Sequence, residues 1–204
     1  RRADRVVLAL PLACLRQVHG LDAMGLPPKA LACIRELGTG TNAKRMLGFR
    51  ERFWGNAATD AFTEHPTQAY WETSRAQPGR AGILTNFLGG RAGEGVAGCE
   101  ATDCLVHLAE LHGHGDLTPI ADGNATLMRW VRHPWARGSY TCPMPGQYTG
   151  LLGALDGPFC GGGLHFAGEH ASLGSLGYMD GAVESGEDVA AGMLVGHRSA
   201  VGAV

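Results

Sequence analysis

The chain has 204 residues, 45% of them hydrophobic and 18% charged, with a formal net charge of −2. That balance is ordinary for a globular chain with a sizeable core, and it excludes an electrostatic footprint for nucleic acid. No run of 18 or more apolar residues is present to span a bilayer.

In chain order, Val6 to Leu10 is a continuous apolar run ended by Pro11, as in a parallel strand covered on both faces. With Arg1-Arg2 ahead of it, the stretch through Leu15 superficially resembles a twin-arginine signal. No small-x-small cleavage site follows, so the strand reading is preferred, and on that reading the chain begins in mid-domain. Pro28 to Leu37 predicts a short helix with proline at its start. Thr41 to Phe49, Gln68 to Thr73 and Ile83 to Leu88 read as strands, the last closed by Gly89-Gly90. Val96 to Leu111 has helical spacing through Ala97, Ala101, Cys104, Leu105 and Leu108, with Gly113 as its stop signal. Ala125 to Val131 is another strand. Residues 132–163 are rich in Gly and Pro and predict loops with one short helix near Leu151. Leu164 to Ala167 is a short strand, and Gly177 to Leu194 a long helix. The fold class is mixed α/β (α+β), with a β-rich layer flanked by pieces that look like the edge of a parallel α/β domain.

The 32 glycines are about twice the usual share and lean towards a protein whose backbone approaches a cofactor. Six cysteines, at 14, 33, 99, 104, 142 and 160, form no C-x-x-C pair. They read as reduced and mostly buried, consistent with a cytoplasmic protein. His112-Gly113-His114 has no third ligand nearby and reads as loop rather than metal site; Cys99 and Cys104 lack zinc spacing. No metal is expected. Gly38-x-Gly40-x-x-Ala43 fits a dinucleotide fingerprint on paper, but a helix precedes it and a strand follows, the wrong order.

The tail carries the densest signal. Leu164-His165-Phe166-Ala167-Gly168-Glu169-His170 is a strand ending at a glycine and a carboxylate. A Ser/Gly loop follows, then Gly177-Tyr178-Met179-Asp180-Gly181-Ala182-Val183-Glu184 opens a helix. Met179, Ala182, Val183, Gly186, Val189, Ala190 and Met193 share one helix face. Gly181 and Gly186 each weaken the helix by roughly 1 kcal/mol relative to Ala, which is tolerated where something must approach closely. A helix start offers free N–H groups and partial positive charge, suited to the negative pyrimidine side of a reduced flavin. From chemistry alone a plain strand-loop-helix unit with a capped helix fits as well.

The segment FAGEHAS followed by GYMDGAVESGEDVA resembles the C-terminal flavin-binding signature of monoamine oxidases and related flavin amine oxidases. The resemblance implies FAD, with Gly168, Glu169, Gly177, Tyr178, Met179 and Ala182 at the cofactor and Glu169 accepting from a ribityl hydroxyl. Lys44, ahead of Phe53-Trp54, matches a family lysine on a substrate-domain strand that holds a water against flavin N5; taken alone it reads as an exposed strand lysine. Trp130 to Tyr140 resembles the stretch beside the flavin ring. That places Trp130 near the isoalloxazine and makes Tyr140 and Tyr178 the aromatic pair that flanks the amine. Ser139 stands where mammalian monoamine oxidases carry the cysteine that bonds the flavin, so FAD is expected to be non-covalent; Cys142 is offset. Arg5 to Pro11 resembles the strand that returns to the FAD domain, and Tyr70 to Ser74 with Gly82 to Thr85 resembles substrate-domain strands of bacterial members.

The resemblance covers nearly the whole chain and implies three parts. Residues 1–20 hold the return strand, 21–131 a substrate domain with a mixed β-sheet, and 132–204 the C-terminal part of a Rossmann-like FAD domain. The part with which members of the family open, a strand, a glycine-rich turn and an acidic residue that together hold the ADP half, has no counterpart in the stretches that carry the resemblance. The implied reaction is oxidation of a primary amine to an imine and then an aldehyde, with O₂ reduced to H₂O₂; Lys44, Tyr140 and Tyr178 are its catalytic candidates. The rivals are an L-amino-acid or polyamine oxidase of the same family and a catalytically silent fragment. The partners implied are a small-molecule amine and O₂, with a homodimer or a missing N-terminal part as further ones; the ADP-binding part would lie in a longer gene product or on another chain.

Overall fold

A computed structural model describes residues 3–55, 60–95 and 100–201, with side chains through residue 195. In chain order the elements are β1 (Val6–Leu8), α1 (Leu12–Leu15), α2 (Pro28–Glu36), β2 (Ala43–Phe49), β3 (Ala61–Phe62), β4 (Ala69–Glu72), β5 (Gly82–Leu88), α3 (Gly90–Gly95), α4 (Ala101–His112), β6 (Ala121–Arg129), α5 (Gln147–Leu151), β7 (Leu164–Phe166) and α6 (Met179–Val201). Two compact units result: Arg1–Gly40 with Pro134–Val204, and Thr41–His133.

In the first unit β1 and β7 run parallel, Val6 opposite Leu164 and Leu8 opposite Phe166. Parallel pairing is as predicted, but β1 is not covered on both faces: Val6 and Val7 are 43% and 42% exposed, since β7 is its one ladder partner among the described residues. The core packs Leu12 and Leu15 of α1 and Ala30, Cys33 and Ile34 of α2 against Leu155, Leu164 and Phe166. Residues 21–40, read from sequence as the start of a middle domain, therefore sit with this unit, because the apolar face of α2 packs on β7. The dinucleotide-like glycines form a bridge instead. Gly40 N–H donates to the Tyr140 carbonyl and Cys142 N–H to the Gly38 carbonyl, both at 2.8 Å.

The long helix α6 buries a different face from the one its apolar pattern suggests. Gly181 and Ser185 are buried, while Met179, Ala182 and Val183 are exposed. Small residues four apart let the helix approach its loop closely. A Cβ on Gly181 would lie within 3 Å of the Ser175 carbonyl and of the Ser172 side chain. The Ser185 hydroxyl lies 2.9 Å from both the N and the O of Gly168.

In the second unit the five strands run in the order β3-β4-β5-β2-β6, antiparallel at every pair. The parallel and antiparallel pairings expected together are thus divided between two sheets. On β2, Ala43, Arg45, Leu47 and Phe49 point inward, and Leu47 and Phe49 join Tyr70, Leu84 and Trp54 under Cys104 and Leu108 of α4. The period of two on a half-covered sheet is what made this strand readable. Helix α4 starts at a capping box, Glu100 with Asp103, and ends at Gly113 in the left-handed region. The predicted start of this helix, Val96 to Cys99, lies outside the described residues. His112 and His114 stack edge-on against Phe53, so they serve packing. None of the five described cysteines is in a disulfide; Cys142 and Cys160 are exposed, against the expectation of burial, because both sit in surface loops. No described helix is long and apolar enough to cross a membrane.

One polar cluster ties α4 to the turn between β3 and β4. The rings of His65 and His107 stack at 3.8 Å, and the Thr67 hydroxyl bonds the Nδ1 of both, at 2.9 and 2.5 Å. Burial, and then the neighbouring His65, push the His107 imidazole below its usual range, with Glu110 opposing. The folded state therefore holds His107 neutral while the unfolded chain takes up a proton near about pH 6.5. Stability from this group is present above that value and falls as acid protonates the unfolded state first. The urea midpoint should drop between about pH 7.5 and 5.5. His107→Phe should flatten that slope; an unchanged slope would remove His107 as its source.

Candidate functional site

The strand β7 delivers the site. It ends at Ala167, and Gly168 turns the chain at φ 142, a conformation reserved for glycine. A Cβ there would lie 2.5 Å from the His170 ring. The turn Glu169–Ala171 follows, and Gly177, at φ 83, feeds α6. Glu184 on the first turns of α6 reaches back to the hydroxyls of Ser172 and Ser175, at 3.2 and 3.3 Å, and closes the loop. His170 is buried, and its Nε2 has no partner among the described residues; burial holds its imidazole below the usual range, with Glu169 opposing.

The carboxylate of Glu169 gathers the predicted residues. It accepts from the Thr141 N–H and hydroxyl at Oε1, and from the Gly177 N–H at Oε2. Ser139 and Tyr140 sit in the segment so held, and Tyr178 and Met179 follow Gly177. Tyr140, Tyr178 and Met179 are 46%, 72% and 86% exposed. The result is an open aromatic surface at the start of a long helix. The first N–H groups of that helix, Met179, Asp180 and Gly181, have no partner inside it. Ala182 is exposed one turn further on. A cleft of about 270 Å³ also lies in this unit, lined by Arg5, Leu155, His165, Phe166, Asp188 and Met193 among others, but no predicted site residue borders it.

Lys44 and Trp130 belong to the second unit. Lys44 lies on the interior strand β2, with Phe87 and Met128 as cross-strand neighbours. Its Nζ stands 5.4 Å from the Trp71 ring centroid and 5.8 Å from that of Phe87. Rather than an exposed lysine, it is a half-buried cation on an aromatic sheet face. Trp130 opens a single 3-10 turn, Trp130–Arg132, and tilts against His133 at 6.0 Å.

Sequence reasoning missed Thr141, Glu184, Ser185 and His170. The four-residue spacing of Gly181 and Ser185 was a readable sign of close helix packing. Nothing local marks Thr141, whose partner is distant in sequence.

One unit offers a parallel strand-turn-helix with an anion-receptive helix start, the other an antiparallel sheet with a cation on its aromatic face, and these two features define the class of protein. The comparisons specify it further: residues 1–194 match the family model for flavin containing amine oxidoreductases, and the chain belongs to that family. It is 30% identical over 199 residues to the protein named "Putative L-amino-acid oxidase YobN" of Bacillus subtilis (strain 168), covering 92% of this chain and 40% of that protein. It is 26% identical over 189 residues to polyamine oxidase 5 of Oryza sativa subsp. japonica, covering 90% and 37%. Its fold superposes on the cyclohexylamine oxidase of Brevibacterium oxydans IH-35A with a TM-score of 0.80 at 22% identity, over 95% of this chain and 43% of that one. The chain thus spans about 40% of the length of the curated relatives it matches.

Proposed function

We propose that this chain carries the flavin-ring and substrate side of an FAD-dependent oxidase of primary amines, releasing H₂O₂. The observation that carries the reading is the juxtaposition at Glu169: one carboxylate accepts from Thr141, which follows Tyr140, and from Gly177, which precedes Tyr178, at the open end of a helix. The residues fit the pyrimidine side of a flavin. Gly177 presents backbone without a Cβ, and the helix start presents unpaired N–H groups to an electron-rich edge. A bound flavin supplies the hydride acceptor and the reaction with O₂.

This chain's own residues position and tune. Tyr140 and Tyr178 orient the amine nitrogen and its α-carbon. With a flavin bound, Met179 and Ala182 would hold the ring from the helix start, and Gly168 and Glu169 its ribityl side. Trp130 would support the ring, and Lys44 would hold a water for the reaction with O₂. Ser139 has no thiol to bond the ring, and Cys142 is offset from that position by three residues, so FAD is held non-covalently. Acid precipitation should leave the yellow colour in the supernatant; colour in the pellet would contradict this.

A second reading, an L-amino-acid or polyamine oxidase, is favoured by the names of the relatives. Peroxide release with aliphatic and aromatic monoamines, against L-amino acids and polyamines, separates them. Turnover of L-amino acids alone would replace the primary-amine reading. Failure of added FAD to give a bound-flavin spectrum would favour a catalytically silent binding subunit.

A further inference from the structure

We infer that Glu169 is a positioning residue: its carboxylate ties the Tyr140 segment to the start of α6 and so fixes the two phenols as one surface. The inference rests on the proposed function for the role of Tyr140 and Tyr178 towards the amine. It does not rest on it for the tie itself.

Oε1 accepts the Thr141 N–H at 3.0 Å and its hydroxyl at 2.8 Å, and Oε2 accepts the Gly177 N–H at 2.8 Å. Bonds to a charged acceptor are about twice as strong as neutral ones. Each donor adjoins a tyrosine: Thr141 follows Tyr140, and Gly177 precedes Tyr178. The backbones also meet here, since a Cβ on Gly177 would stand 3.7 Å from the Cβ of Tyr140. Behind it the Tyr140 segment is fixed to residues 38–40. Gly40 N–H donates to the Tyr140 carbonyl and Ser139 N–H to the Gly40 carbonyl, both at 2.8 Å. Thr39 and Thr141 form the bridge between them.

The other acid of this loop, Glu184, holds Ser172 and Ser175 and leaves Gly177 to Glu169. A carboxylate has about four acceptor sites, and three here are taken by protein donors. One site stays open for a cofactor hydroxyl, and the tie to the two tyrosine segments is the larger share of what this carboxylate does.

Amide hydrogen exchange on the full chain tests the tie directly. In Glu169→Gln one face of the side chain becomes a donor and opposes Gly177 N–H. The Thr141 and Gly177 amides should then exchange at least about tenfold faster, while the Gly168 amide, held by Ser185, keeps its protection. Thr141→Val, which removes only the hydroxyl, should give about a threefold acceleration at Thr141 that Thr141→Ser largely reverses. In the flavin-loaded protein, Glu169→Gln should lower kcat/KM for the amine about tenfold with the affinity for FAD, read by absorbance titration, unchanged. Weaker FAD binding with unchanged exchange would overturn the inference and make Glu169 a direct cofactor ligand. Faster exchange with kcat/KM insensitive to Tyr140→Phe and Tyr178→Phe would instead overturn the amine-slot reading and leave the tie standing.

Discussion

Arg52→Met should destabilise the chain by about 3–5 kcal/mol, the cost of leaving one member of a buried ion pair without its partner. Arg52 Nε lies 2.9 Å from Glu72 Oε1, and the Glu72 side chain is only 5% exposed. The rest of the guanidinium donates to the carbonyls of Ser74, Gln77 and Gly79, at 2.9, 3.0 and 2.5 Å, and so pins the turn between β4 and β5. Arg75, 3.9 Å from the other Glu72 oxygen and largely exposed, is too distant to replace it. Trp54 packs over Gly82 beside Arg52, so its fluorescence reports urea unfolding of this unit.

The pH dependence gives the prediction a sign. Burial pushes the Glu72 carboxyl up, but bonds from Arg52 and Ser74 outweigh it and hold the group below its usual range. In the natural chain the stability from Glu72 is present above the unfolded carboxyl value of about 4.3 and is lost as pH falls through the lower folded value. Without Arg52, burial dominates and the sign reverses. The deficit of Arg52→Met should shrink as acid neutralises Glu72, and Glu72→Leu in that background should recover more than half of it. A deficit under about 1 kcal/mol, or one that ignores both acid and Glu72→Leu, would rule out the buried charge as its cause.

This pair shows where sequence reading stops. β2, β5 and the body and end of α4 were legible because alternation, helical spacing and a stop glycine are local signals. α1 is four residues after a proline, β3 is two residues, and α3 is half glycine, so local propensity argues against or is silent on each. The buried face of α6 was misread because hydrophobicity marks Met179 and Val183, whereas close approach selects Gly181 and Ser185. Arg52 with Glu72, and Thr141 with Glu169, are pairings between distant segments, and no spacing rule identifies them. Of the candidate site, the tail's residues were readable as a unit; the carboxylate that joins it to Thr141 was not.

Lys44→Met should slow reoxidation of the reduced, flavin-loaded protein by O₂ by about a hundredfold or more, while reduction by amine changes by less than about threefold. The argument starts from the strand. β2 is bonded on both sides, to β5 and β6, so the Lys44 backbone has no freedom to retreat. Two aromatic faces then hold its head, at 5.4 and 5.8 Å, a contact worth about 0.5–2 kcal/mol depending on desolvation. A cation fixed in this way needs no reorganisation when negative charge develops on oxygen, and a half-buried face screens it less than water would. Methionine keeps the length and the packing on Trp71 and Phe87 but removes the charge, so the fold should survive. Loss of the cation–π contact should alter Trp71 fluorescence even without flavin, an independent sign that the substitution acted where intended. Stopped-flow traces of the two half-reactions decide the role. Equal slowing of both would assign Lys44 to packing, and no slowing of either would remove it from the site.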